Sequence, residues 1–199
     1  MRTLAVAAAA AATAIGGSGS AVAAGGLRGL VPQPLPHKPS FTLTDTSGRP
    51  FHFGAATRGK LTFLYFGYTH CPDACPTTMA DLSTALHEQA RTVRRNIAVV
   101  FVTVDPRRDT RGVLRTWLNH FDSSFVGLTG SEAAIEAAER SAGVPPAPAG
   151  NRAGRHYSVA HSTFLFPYSP DGRAHVVYVQ GFRSADYAHD MPLLLRFGR

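Results

Sequence analysis

The stretch Cys71-Pro72-Asp73-Ala74-Cys75-Pro76 holds both cysteines of a 199-residue chain, with three residues between them and a proline after each. Such a pair can be a structural disulfide, a redox couple or two thiolate ligands of a metal. A bridge here would close a loop of only a few residues, and in the chain-entropy model the stabilisation from a disulfide shrinks with its loop. The pair is better suited to chemistry than to stapling. Just ahead, "LTFLYFGY" is an almost continuous apolar run with β-forming aromatics, and just behind, "TTMADLSTALHEQAR" carries Met79, Leu82 and Leu86 at helical spacing. The cysteines therefore fall where a buried central strand gives way to a helix. Pro72 and Pro76 lack an N–H and are tolerated only in or before the first turn, which predicts a regular helix from about Thr77. Both sulfurs then lie at its N-terminus, where unpaired N–H groups and the helix dipole favour thiolate and lower the thiol pKa from about 8.5. Thiolate is both nucleophile and metal ligand, so the redox and metal readings stay open.

The elements that must position this pair can be read along the chain. "FTLTD", "TSGR" and "PFHF" read as a hairpin. "IAVVFVTVD" is a second buried strand. "TRGVLRTWLNHF" reads as a helix capped by Thr110, with Val113, Leu114, Trp117 and Leu118 on its apolar side. "FVGLT" is a short strand, and "SEAAIEAAERSA" a helix begun by Ser131 and stopped by Gly143. The Pro/Gly-rich "VPPAPAGNRAGRHY" is long enough for a lid or an insertion. "SVAHSTFLF" and "AHVVYVQGF" flank the turn signal "SPDGR", and a last helix starts at Ser184 and must kink or shorten at Pro192. Strand, helix, strand between buried runs implies parallel pairing. The expected class is an α/β three-layer domain with a central mixed sheet and an N-terminal β-hairpin extension.

At 44% hydrophobic, the chain can bury one substantial core. Residues 1–24 place Arg2 before an alanine-rich run ending in Ala21-Val22-Ala23, an A-x-A pattern that reads as a signal peptide; an uncleaved anchor is the alternative. No cysteine follows Ala23, so a lipid-modified N-terminus is not suggested. Residues 25–40 read as a Pro/Gly-rich linker, and 41–199 as the folded domain. Export to the periplasm or the outer face of the cytoplasmic membrane would put the cysteines where an unprotected pair becomes a disulfide bond. The net charge of +7 is almost wholly arginine, with a cluster through Arg91, Arg94, Arg95, Arg107, Arg108, Arg111 and Arg115. Aromatics are not interleaved with these charges as single-strand binders require, so the reading is a solvated basic surface and no nucleic acid. Such a surface could steer an acidic protein partner.

"YTHCPDACP", "VTVDPRRDT", "FVGLTG" and "VAHSTFLF…PDGR" together resemble the Sco/SenC family of exported, thioredoxin-like copper chaperones that serve cytochrome c oxidase assembly. The likeness runs over about residues 41 to 190, with the four motifs in the family's order. It implies a copper ion held by Cys71, Cys75 and His161, and delivery to the copper-receiving subunit of cytochrome c oxidase. Two thiolates and an imidazole suit Cu(I), or Cu(II) with a further ligand, whereas structural zinc asks for four protein ligands. Of the nine histidines, His70 adjoins Cys71 but should point the opposite way, His156 lies in the long loop, and His87, His120, His175 and His189 have no link to the cysteines. His161 stands at the expected start of an apolar strand near the end of the cysteine-bearing one. Thioredoxins carry a cis-proline in the loop before that strand, and "HYSVAHST" has none. Many family members have an acid before this histidine, where this chain has Ala160.

Asp73 reads as an N-terminal capping acid, or as a residue that tunes the thiolates or meets a partner. "DPRRDT", with Asp105, Arg108 and Asp109, reads as an ion-pair and capping cluster supporting the site, and Tyr65, Phe66 and Tyr68 as core and pocket wall. The alternative function is a thiol-disulfide oxidoreductase, Cys71 attacking and Cys75 resolving, which reduces the oxidase subunit or other exported proteins and is itself served by a thiol reductant. A membrane contact would come only through an uncleaved leader. A peroxidase is disfavoured, since no Thr-x-x-Cys arrangement with an activating arginine is present.

Overall fold

Seven successive buried residues in one strand require helices on both sides of the sheet, and that arrangement is observed. The structure, a computed structural model, describes residues 26–148 and 157–198. The leader and His156 lie outside the described residues. In chain order the elements are β1 Thr42–Asp45, β2 Pro50–His52, α1 Phe53–Ala56, β3 Leu61–Gly67, α2 Ala74–His87, α3 Arg91–Arg94, β4 Ile97–Thr103, α4 Arg111–Asn119, β5 Val126–Thr129, α5 Glu132–Ser141, β6 Leu165–Tyr168 and α6 Ser184–Leu194.

One six-stranded mixed sheet runs β2-β1-β5-β4-β3-β6. β3 pairs parallel with β4 through α2, β4 pairs parallel with β5 through α4, and the hairpin and β6 join antiparallel. Alternate residues of β3 feed the two faces. Leu61, Phe63 and Tyr65 pack with Met79, Leu82 and Leu86 of α2, Leu114 and Leu118 of α4, and Tyr187, Met191 and Leu194 of α6. Leu64 and Phe66 pack with Val100 and Val102 of β4, Phe53 of α1 and Ile135 and Ala138 of α5. Each fully buried side chain of this size contributes roughly 1.5–3 kcal/mol. Thr110 and Ser131 cap their helices as expected, accepting from the N–H groups of Val113 and Ala134. Val113, expected on the apolar side of α4, is instead exposed.

α2 begins at Ala74, earlier than the expected start at Thr77. Pro76 is its third residue, where the N–H groups of the first turn have no intrahelical partner, so proline removes nothing. α6 continues two residues past Pro192. The Ala188 carbonyl, which a helical N–H at position 192 would have met, accepts instead from Gln89 Nε2 at 3.1 Å.

The return arm of the last hairpin forms no continuous strand. It meets β6 at Leu165↔Tyr178 and Tyr168↔Ala174, so three steps on β6 face four on the return arm, the count of a β-bulge. On its other side lies the Pro/Gly-rich segment, which is packed onto the domain where the sequence suggested a free tether. Leu30 exchanges backbone hydrogen bonds with Val177, Ala174 donates to Pro36, and the buried Asp190 accepts the N–H groups of Arg28 and Gly29. Four prolines between positions 32 and 39 withhold N–H donors, so contact is made at single bridges and leaves no strand-like period.

Candidate metal centre

β3 ends at Gly67, and Tyr68-Thr69-His70 carry the chain to Cys71. A Cβ at Gly67 would lie 2.6 Å from Cys75 Sγ, so only glycine lets that sulfur rest on the strand end. Cys71 is partly exposed and Cys75 fully buried; both are free thiols. The Cys75 N–H points at Cys71 Sγ at 3.5 Å, so a sulfur takes an orphan donor at the mouth of α2. Asp73 occupies the N-cap position, but its carboxylate caps no N–H, contrary to the capping expectation. It accepts instead from Thr77 Oγ1 at 3.3 Å and Gln180 Nε2 at 3.4 Å.

His161 arrives from the opposite side. It stands four residues before β6, in a segment without regular secondary structure rather than at the expected strand start. Its Nδ1–H donates to the Ser162 carbonyl at 2.8 Å, which leaves the Nε2 lone pair facing the sulfurs, and Cys75 Sγ is 3.6 Å away. Tyr68 and Tyr65 set their rings nearly perpendicular to the imidazole, at centroid distances of 5.4 and 6.2 Å. The donor atoms of Cys71, Cys75 and His161 all lie within 4.8 Å of one another, and among the described residues no other group of three or more such side chains does so.

The two thiols differ sharply. Cys75, donating to Cys71, holds that thiol down at about 4 from an ordinary value of 9.0; the N–H groups of Cys75 and Asp73 add to this, and burial opposes it. Burial first, and then the neighbouring Cys71, push the Cys75 thiol well up. The pair thus holds one proton and one negative charge near neutrality, a coupled system.

Four other histidines are engaged elsewhere. His70 meets Thr69 Oγ1 at 3.0 Å and sits 3.7 Å from Asp109, while His87, His175 and His189 face Asp122, Asp171 and Asp190. The expected solvated arginine cluster needs correction at two members: Arg108 is mostly buried against Asp105, and Arg115 donates to the Phe125 carbonyl at 2.8 Å. Sequence reasoning missed Tyr157, whose hydroxyl donates to Asp105 at 2.8 Å. It sits alone in an irregular segment, so periodicity carries no signal for it. Beside His161, Pro145, Pro146, Pro148 and Phe164 line an open apolar groove of about 430 Å³.

A mixed sheet covered by helices on both faces, with two cysteines at the helix mouth after a central strand and a histidine ahead of the antiparallel neighbour, defines a thioredoxin-like domain with a metal-capable Cys-Cys-His site. The family model SCO1/SenC matches residues 31–195, and the chain belongs to that family. It is 35% identical over 140 residues to a putative copper-binding protein of Stutzerimonas stutzeri, covering 69% of this chain and 68% of the relative. It covers only 44% of the yeast mitochondrial protein SCO2, at 34% identity. Among solved structures, Bradyrhizobium japonicum ScoI with copper bound superposes with a TM-score of 0.69 at 29% identity, over 78% of this chain and 98% of that one.

Proposed function

We propose that this chain is an exported metallochaperone that carries copper on Cys71, Cys75 and His161 and passes it to the copper centre of cytochrome c oxidase. The observation that carries the reading is the convergence of two sulfurs and a tautomer-fixed imidazole nitrogen within 4.8 Å. Two soft thiolates with one imidazole suit copper, and the copper-bound relative supports the same choice. The site supplies one thiolate already formed, and metal displaces the proton shared by the pair. Copper here is cargo, so a partly exposed Cys71 and an open groove beside His161 suit hand-over better than a closed structural site would. Export rests on the leader pattern of residues 1–24; among the described residues no helix is long and apolar enough to cross a membrane.

A second reading, thiol-disulfide exchange with the oxidase subunit or another exported protein, is favoured by the asymmetry of the cysteines. The Cys71 thiolate would attack a substrate disulfide and release one thiolate. Cys75 would then lose its proton towards His161 Nε2 and displace the second, leaving Cys71–Cys75 oxidised and the substrate reduced. Anaerobic Cu(I) titration of the reduced protein decides between the two. We expect one copper per chain, with Cys71→Ser, Cys75→Ser and His161→Ala each weakening binding by at least ~10-fold. Wild-type affinity in His161→Ala would overturn the three-ligand site, and rapid disulfide reduction without tight copper binding would select the exchange reaction.

A further inference from the structure

Two separate segments build the site, one carrying the cysteines and one the histidine, and both are tied to the turn between β4 and α4. Asp109, fully buried, accepts the Thr69 N–H at 2.9 Å and the Thr69 hydroxyl at 2.6 Å, two residues before Cys71. Asp105, also fully buried, accepts the Tyr157 hydroxyl at 2.8 Å, four residues before His161. Thr103 joins the Asp109 carboxylate to the Asp105 backbone. Its hydroxyl donates to Asp109 at 2.6 Å and accepts the Asp105 N–H at 3.0 Å. Arg108 pairs with Asp105 through Nε and lays its guanidinium 3.6 Å above the Tyr157 ring; 5.6 Å away lies the ring of Tyr68, which in turn stands edge-on to His161.

We propose that Asp105, acting through Tyr157 and Arg108, is a positioning group for His161, and that the Asp105–Asp109 turn sets the separation between the imidazole and the two sulfurs. Buried carboxylates serve well here because each can accept several hydrogen bonds from different segments and loses heavily if one donor is withdrawn. The histidine lies outside β6, so the sheet ladder does not fix it, and the Tyr157 anchor supplies what the ladder lacks. The cysteine arm has its own anchor at Asp109. Loosening Tyr157 should therefore move the histidine and leave the sulfurs in place. The inference rests on the copper reading for its functional meaning, but its geometry can be tested without metal.

The test uses the full reduced protein, Tyr157→Phe, and Arg108→Lys as a second variant that keeps the charge but loses the flat stacking fork. In the metal-free protein, ¹⁵N spectra of the His161 ring should show one protonated Nδ1 and one free Nε2 in the wild type, and averaged nitrogens in Tyr157→Phe. The rate of Cys71 alkylation should not change. With Cu(I) as probe against a chromophoric competitor, Tyr157→Phe should bind about 10-fold more weakly, and the loss should vanish in a His161→Ala background. Arg108→Lys should shift both readouts in the same direction. An unchanged ring spectrum in both variants, or an equal loss of affinity in the His161→Ala background, overturns the proposal. If the wild type itself binds no copper, the function above fails, and the ring spectrum alone decides the positioning role.

Discussion

Cys71 and Cys75 are the same residue type a few positions apart, yet their surroundings give them different chemistry. Cys71 faces the helix mouth and takes hydrogen bonds from Cys75 and from backbone N–H groups, whereas Cys75 is sunk against the end of β3. The sequence places both sulfurs at a helix N-terminus and so predicts lowered pKa values for both. It does not show that burial reverses the effect at Cys75, because that depends on a packing contact with Gly67 rather than on neighbours in the chain. One thiol should therefore react far more readily than the other. Iodoacetamide should modify Cys71 alone at pH 7, with a rate that falls only as the pH drops through about 4. Cys71→Ser should abolish the reaction, and a midpoint near 9 would contradict the assignment.

Between strand and helix, the closest approach is that of α2 to the end of β3. Gly67→Ala would drive a methyl to 2.6 Å from Cys75 Sγ and 2.9 Å from the Tyr65 ring, so α2 or the strand end must shift. Overpacking of this kind costs about 1–3 kcal/mol. Denaturant melts should show that loss together with weaker Cu(I) binding, and a variant as stable as the wild type would mean that the gap relaxes freely. The regular elements were legible because their signals are local: β3 and β4 as buried apolar runs, α4 and α5 from Thr110 and Ser131, the parallel pairing from strand-helix-strand order. The site was legible only in part. Cys71 and Cys75 announce themselves, but His161 was singled out through resemblance and its expected place beside the cysteine strand, and the strand expected to carry it begins only at Leu165. Tyr157 and the bulged return arm escaped because their partners, Asp105 and Leu30, are far away in sequence.

For the whole molecule, the cysteine pair makes stability depend on pH in a direction that can be worked out. In the unfolded chain both thiols titrate near 9, whereas in the reduced fold Cys71 has already lost its proton above about 4 and Cys75 keeps its own. Between about pH 4 and 9 the folded state thus binds fewer protons on the pair than the unfolded state, so raising the pH favours folding. Below 4, Cys71 is protonated in both states and its contribution is gone. Above 9 the unfolded chain sheds both protons while Cys75 holds its own, and the trend reverses. Other groups also titrate, among them Glu139, whose carboxyl burial raises and whose contribution therefore weakens as pH rises. A comparison with Cys71→Ser removes them, because both proteins share them. In that variant Cys75 stays protonated in both states across the window, so the pair no longer responds to pH. The unfolding midpoint of the reduced wild type, less that of Cys71→Ser, should therefore climb steadily from pH 5 to pH 8, as measured by thermal melts under anaerobic conditions. A flat or falling difference would mean that the thiolate is not stabilised by the fold and that the site carries no pre-formed charge.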